Sequence, residues 1–235
     1  MNKATRDKYH GWIRTLADVQ GGRPNFADQT PESLDVLAKL CEMYKPTVVI
    51  ELGTAHGLST RLWLEAAPEA KIHCVDAGFA PLRGTASALP VDFSRLTLHQ
   101  NWVRDVKLQN LWAADDRVLL YVDVHSDHSH VFKAIPDLPH GSVVAFDDVW
   151  RSDKSLKTPE EKEEFRLTVV APQVDHTAPL AIWPLSYCDY EMGRGGFWGF
   201  TEVPELMQWV KSQRVRLHWE KGAKVVWFQW PQDKE

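Results

Sequence analysis

Val48-Val49-Ile50-Glu51-Leu52-Gly53-Thr54-Ala55-His56-Gly57-Leu58-Ser59 is the stretch on which the fold turns. Val48, Val49 and Ile50 are β-branched and apolar, which suits a strand buried on both faces. Gly53 and Gly57 follow at the end of that strand. Glycine takes positive φ without steric cost and lets a ligand approach the backbone. A helix is expected from Ser59 to about Ala67, closed by Pro68, and its first turn offers unpaired N–H groups. Strand, glycine turn and helix form the first unit.

The unit repeats outward. Lys71-Ile72-His73-Cys74-Val75-Asp76 reads as a second strand ending in an acid, and Leu96-Thr97-Leu98-His99 as a third. Val103 to about Trp112 reads as a helix. Arg117 to Asp123 is a fourth strand, His128 to Ile135 a helix, and Ser142 to Phe146 a fifth strand running into Asp147-Asp148. Strands apolar on both faces and alternating with helices predict a doubly wound, mostly parallel α/β sheet. Ligands of such sheets bind beyond the carboxyl ends of the strands. Glu51, Asp76, Asp123, Asp147 and Asp148 all fall there.

Upstream, Tyr9, Trp12, Ile13 and Leu16 share one helical face within residues 1–19. Thr30-Pro31-Glu32 has the hydroxyl, proline and acid of a helix start. Downstream, 151–165 is a charged run and 166–200 an irregular segment. A short helix is expected over Val203–Val210, then an antiparallel hairpin of Val215–Trp219 with Lys224–Trp230. One domain over 1–235 is expected. It comprises N-terminal helices (1–44), a ligand-binding core (45–150), a lid or substrate insertion (151–200) and a closing helix and hairpin (201–235).

Bulk numbers exclude whole classes. The chain has 235 residues and a formal net charge of −5, with no long basic stripe. A nucleic-acid partner held by phosphate contacts is therefore not expected. No apolar run is long enough to span a membrane. MNKATRDKYHGWIRTL lacks the apolar core of a secretory leader. The 3 cysteines, without CxxC spacing, read as thiols of a reducing compartment, so a cytoplasmic location is expected. The excess is in tryptophan, 11 of 235. Trp102, Trp150, Trp183 and Trp198 fall where they would flank the cleft.

The loop Glu51-Leu52-Gly53-Thr54-Ala55-His56-Gly57 resembles the first motif of the class I S-adenosylmethionine-dependent methyltransferases: an acid, a glycine, three residues, a glycine. Ala55 stands where that family often has a third glycine. Cys74-Val75-Asp76-Ala77-Gly78 is similar to the family's second-strand motif, whose acid holds the cofactor ribose. The resemblance covers roughly residues 45–150. It implies a Rossmann-like core and S-adenosylmethionine held by Glu51, Gly53, Thr54, Ala55, His56, Gly57, Ser59, Asp76, Ala77, Asn101, Trp102 and Asp123. Trp102 either stacks on the cofactor's adenine or is buried in the core. A nicotinamide-binding domain would want G-x-G-x-x-G, and a carboxylate beside a pyrophosphate is repulsive.

Tyr121-Val122-Asp123-Val124-His125-Ser126-Asp127-His128-Ser129-His130, followed by Phe146-Asp147-Asp148, resembles the branch of that family containing cephalosporin-hydroxylase-like proteins and sugar and macrolide O-methyltransferases. The resemblance implies a divalent cation such as Mg2+ on Asp123, Asp147 and Asp148, with His125 as the alternative to Asp123 at the strand-four position. Converging carboxylates repel one another unless positive charge intervenes. The same acids could instead be solvated cap residues, one of which binds cofactor or substrate directly.

His125, His128 and His130 lack the cysteines and spacing of structural zinc, and no facial triad for a hydroxylase is present. The expected function is methyl transfer to a hydroxyl of a small-molecule acceptor, with Asp123 and His128 as catalytic residues. The alternative is a non-catalytic binding module on the same fold. Trp183, Tyr187, Tyr190, Phe197 and Trp198 form either a pocket wall or the surface of a homodimer.

Overall fold

The structure is a computed structural model and describes residues 1–19, 29–124, 128–147, 149–150, 183–184, 213, 218–219 and 225–230. The short helix expected at 203–210, and nearly all of the insertion expected at 151–200, lie outside the described residues.

β1 (Val48–Leu52), β2 (Lys71–Asp76), β3 (Leu96–Gln100), β4 (Val118–Val122) and β5 (Ser142–Phe146) are mutually parallel. β8 (His218–Trp219) and β9 (Val226–Trp230) close the sheet antiparallel, the expected hairpin, and give a seven-stranded order β3-β2-β1-β4-β5-β9-β8. The order reverses at β1, between β2 and β4, where open α/β sheets place their ligands. A separate two-stranded ribbon joins β6 (Val149–Trp150) to β7 (Trp183–Pro184).

Every residue of β1, β4 and β5 is buried, in keeping with their mostly apolar sequences. β3 departs from the expectation of strands apolar on both faces: none of its residues is fully buried. It is an edge strand, paired among the described strands with β2 alone.

Helices lie on both faces. α1 (Lys3–Val19), α2 (Pro31–Tyr44) and α3 (Leu58–Ala66) bury Tyr9, Leu16, Leu34, Leu37, Leu40, Leu62 and Trp63 against Val49, Ile72, Leu119, Tyr121 and Val143. α5 (His128–Ala134) and the segment after β3 bury Val131, Phe132, Val103 and Leu108 against Ile50, Leu120 and Val144. α2 starts as its sequence predicts: the Thr30 hydroxyl accepts the Ser33 N–H at 3.1 Å, and Pro31 opens the first turn.

Two segments differ from the sequence reading. A short helix, α4 (Ala80–Thr85), stands where no element was expected. The expected helix from Val103 to Trp112 is instead two 3-10 turns, Val103–Asp105 and Leu108–Leu111. The buried residues there, Val103, Val106, Leu108 and Leu111, are spaced three, two and three apart. One α-helical face cannot present that spacing. The chain is extended at Val106 and Lys107, which resets the face.

Candidate active site

The parallel strands deliver their last residues to one edge, and the ladder pins each of them. Gly53 N–H donates to the Val75 carbonyl at 2.9 Å, Asn101 N–H to Asp76 at 3.0 Å, Asp123 N–H to Leu52 at 2.8 Å and Asp147 N–H to Val122 at 2.9 Å. Residues far apart in sequence thus converge by backbone hydrogen bonds alone.

The turn between β1 and α3 is left-handed three times over: φ is 85° at Gly53, 43° at Ala55 and 82° at Gly57. A Cβ at Gly53 would lie 2.0 Å from the Asp123 carbonyl oxygen, so β1 and the end of β4 touch through the space a side chain would take. Asp76 gathers the turn from the neighbouring strand. Its Oδ2 accepts the N–H groups of Thr54 at 2.8 Å and Ala55 at 3.1 Å, and its Oδ1 accepts that of Gly78 at 2.9 Å. From the other side, the Thr85 hydroxyl of α4 donates to the His56 carbonyl at 2.7 Å. Burial holds the His56 imidazole below its ordinary pKa, which favours its neutral form.

Glu51 sits beneath the turn rather than on its open side. It is fully buried, and its carboxylate accepts from Trp63 Nε1 at 3.0 Å, Thr60 Oγ1 at 2.6 Å and Thr54 Oγ1 at 3.3 Å. Burial pushes its pKa up, and hydrogen bonds from Ser59, Thr60, Cys74 and Trp63 oppose the rise. A buried carboxylate needs such partners. Through these bonds its oxygens tie the turn to α3. Ser59, also buried, faces Glu51 in the same way.

Ala55, Ala77, Asn101 and Trp102 are exposed along the edge. Of the two readings of Trp102, burial in the core is overturned: the residue is 53% exposed, with the Arg104 guanidinium 5.2 Å from its ring centroid.

The acids after β4 and β5 meet at one phenol. Tyr121 is fully buried, and its hydroxyl lies 2.6 Å from Asp147 Oδ2 and 3.5 Å from Asp123 Oδ2. Burial raises the Tyr121 pKa well above its ordinary value, and the charges of Asp123 and Asp147 add to the rise, so the phenol keeps its proton. Gln29, just before α2, donates its amide to the same Asp147 oxygen at 2.9 Å and also to the Tyr121 hydroxyl.

Solved structures share this architecture. A candidate O-methyltransferase from Klebsiella pneumoniae matches over 98% of this chain and 90% of its own at 15% identity, with a TM-score of 0.57. A second candidate O-methyltransferase, from Nostoc punctiforme, matches over 93% of this chain and 59% of its own at 16% identity and a TM-score of 0.50. The fold is that of the class I methyltransferases. CmcI, in a form with Mg and S-adenosylmethionine, is 18% identical with a TM-score of 0.44, over 51% of this chain. That match spans about half of the CmcI chain, 53%. No family profile and no curated protein matches the sequence.

Within this methyltransferase fold, the residues expected to act fall into three sets. Gly53, Thr54, Ala55, His56, Gly57, Asp76, Ala77, Asn101 and Trp102 lie in or beside the turn and along its edge. Asp123 and Asp147 lie together at the adjoining strand ends. Asp148 and His125 lie outside the described residues, and His128 opens α5. Among the described residues no group of three acid, histidine or cysteine side chains is placed to hold a metal. No described helix is long and apolar enough to cross a membrane. Sequence reading missed Gln29, Thr60, Trp63, Thr85 and Tyr121. Tyr121 had a visible signal, since a residue two before Asp123 on a strand shares its face. Gln29 had none.

Proposed function

We propose that this chain is an S-adenosylmethionine-dependent methyltransferase that methylates a hydroxyl of a small molecule, with a divalent cation at the acidic edge. The observation that carries the reading is the left-handed turn 53–57 drawn onto Asp76 at the point where the strand order reverses. A carboxylate has about four acceptor sites. The backbone bonds of Thr54, Ala55 and Gly78 leave Asp76 capacity for a ribose hydroxyl. Exposed Asn101 and Trp102 next along the edge suit a purine, and acids throughout the edge suit a ligand with a cationic sulfonium better than a pyrophosphate. The acidic end fits a hard cation as well. Its described acids, Asp123 and Asp147, offer oxygen donors, and Mg2+ is commonly held by one or two carboxylates with waters completing the shell.

When bound, S-adenosylmethionine supplies a methyl group on positively charged sulfur, and a divalent cation supplies charge that lowers the pKa of a hydroxyl on it. In the transfer, the acceptor O–H and the S–CH3 bonds break and an O–CH3 bond forms, which releases S-adenosylhomocysteine and a proton. The chain's own part is holding and orientation. Asp76 takes the ribose, and Glu51 keeps the turn in place from below. Asp123, Asp147 and Asp148 hold the cation or the acceptor hydroxyl. His128 at the start of α5 receives the proton.

Calorimetric titration with S-adenosylmethionine and S-adenosylhomocysteine tests the reading. The parent binds both, and Asp76→Ala weakens each about 10- to 100-fold, the size of a lost hydrogen bond to a charged group. No binding of either by the parent at millimolar ligand would sink the methyltransferase reading.

A further inference from the structure

We propose that Tyr121 and Gln29 are positioning residues of the acidic edge: together they orient the Asp147 carboxylate beside Asp123 and so set the affinity of that edge for a divalent cation. The inference rests on the cation reading above; it adds Gln29, which neither motif contains, and gives Tyr121 a role that neither motif assigns.

The geometry begins in the sheet. Tyr121 pairs with Ala145 across β4 and β5, so Asp123 and Asp147 follow each of them by two residues on the same face. The tyrosine ring lies in the core against Trp63, edge to face at 5.3 Å, and its hydroxyl reaches up between the two acids. A hydroxyl has one proton. The 2.6 Å contact with Asp147 takes it, and Asp123 at 3.5 Å is a close neighbour rather than a second acceptor.

Gln29 completes the clamp. A carboxamide carries two N–H donors, and here they serve the Tyr121 oxygen and Asp147 Oδ2. Tyr121 and Gln29 therefore act on the same oxygen of Asp147 from two directions, one from the sheet interior and one from the chain entering α2. Two such bonds define the plane of the carboxylate as one bond cannot. Partners of this kind, behind metal-binding carboxylates, are typically worth about 10- to 100-fold in metal affinity.

The experiment is a titration of the full chain with Mn2+ alone, read as loss of free-Mn2+ signal by electron paramagnetic resonance. It is run on the parent, Tyr121→Phe, Gln29→Leu and the double variant, with S-adenosylhomocysteine binding measured beside it. Each single variant is expected to bind Mn2+ about tenfold more weakly or worse, and the double variant to lose less than the product of the two, because both act on one oxygen. S-adenosylhomocysteine affinity stays at the parent's value, which a general loosening of the fold would not allow. Gln29→Leu, at a half-buried position outside the sheet, keeps the test decisive should Tyr121→Phe fold poorly. Parent-like Mn2+ binding in both variants overturns the positioning role alone. Absence of Mn2+ binding by the parent overturns it together with the cation reading. Mn2+ binding without S-adenosylhomocysteine binding overturns the methyltransferase reading and leaves the clamp standing.

Discussion

Gly53 and Gly57 take nearly the same φ, 85° and 82°, yet they answer to different neighbours. A Cβ on Gly53 would meet the Asp123 carbonyl oxygen at 2.0 Å, a backbone atom held by the sheet ladder. A Cβ on Gly57 would meet Leu82 Cδ1 at 2.2 Å, the end of a side chain that can turn. Both substitutions pay for left-handed backbone, roughly 1–2 kcal/mol. Gly53→Ala must also push β4 away from β1, so it should cost about 3 kcal/mol or more, and Gly57→Ala about 2 kcal/mol. Urea unfolding of the two variants measures this, and equal losses would show that the sheet yields as easily as Leu82. At this scale the need for glycine at 53 and 57 was legible in the sequence. Which atoms enforce it was not, because Asp123 and Leu82 are brought there by other elements. Glu51 carries the same lesson: its acid was visible, but its burial under Thr60 and Trp63 depends on where α3 lies.

At the scale of elements, β2 and β3 are joined by more than their ladder. His73 Nδ1 and His99 Nε2 lie 3.0 Å apart, with their rings 5.3 Å apart. Burial lowers the pKa of His73 first, then the nearness of His99 and Lys71, while Asp116 opposes; burial lowers that of His99. Both therefore take protons less readily folded than unfolded. The unfolded chain gains protons first as pH falls below the ordinary histidine value of about 6.5, so stability is full above that pH and is lost as pH drops toward the lower folded values. Between about pH 7 and pH 5.5 the parent should lose more stability than the double variant His73→Gln/His99→Gln. Equilibrium unfolding across that range checks it; parallel pH profiles would remove the pair from the account. Period and β-branching made most strands legible. The segment after β3 was not, since its buried residues mix spacings, and α4 was not, since Ala80-Pro81-Leu82-Arg83-Gly84-Thr85 has neither a cap nor a sustained apolar face.

For the whole molecule, β1, β4 and β5 are shared by both cores, one under α1–α3 and one under α5, and the candidate site sits on the ends of those strands. A ligand that binds only the folded chain should therefore raise the stability of the sheet as a unit. S-adenosylhomocysteine at a hundredfold excess over its Kd should add about 2.7 kcal/mol and shift the thermal transition upward. A melt that does not move, under conditions where calorimetry shows binding, would mean the turn unfolds independently of the strands.

The sequence by itself determined that this chain builds a parallel, doubly wound sheet with acids and glycines at its carboxyl edge. Those properties are local: β-branched apolar runs, a glycine pair at a strand end and an N-cap each act within a few residues. The tertiary structure alone decided which acid does what. Glu51 went under the turn, Asp76 onto the backbone of Thr54 and Ala55, and Asp147 into the grip of Tyr121 and Gln29. A carboxylate's role is set by the donors around it and by its burial, and these donors come from helices and strands up to 118 residues away.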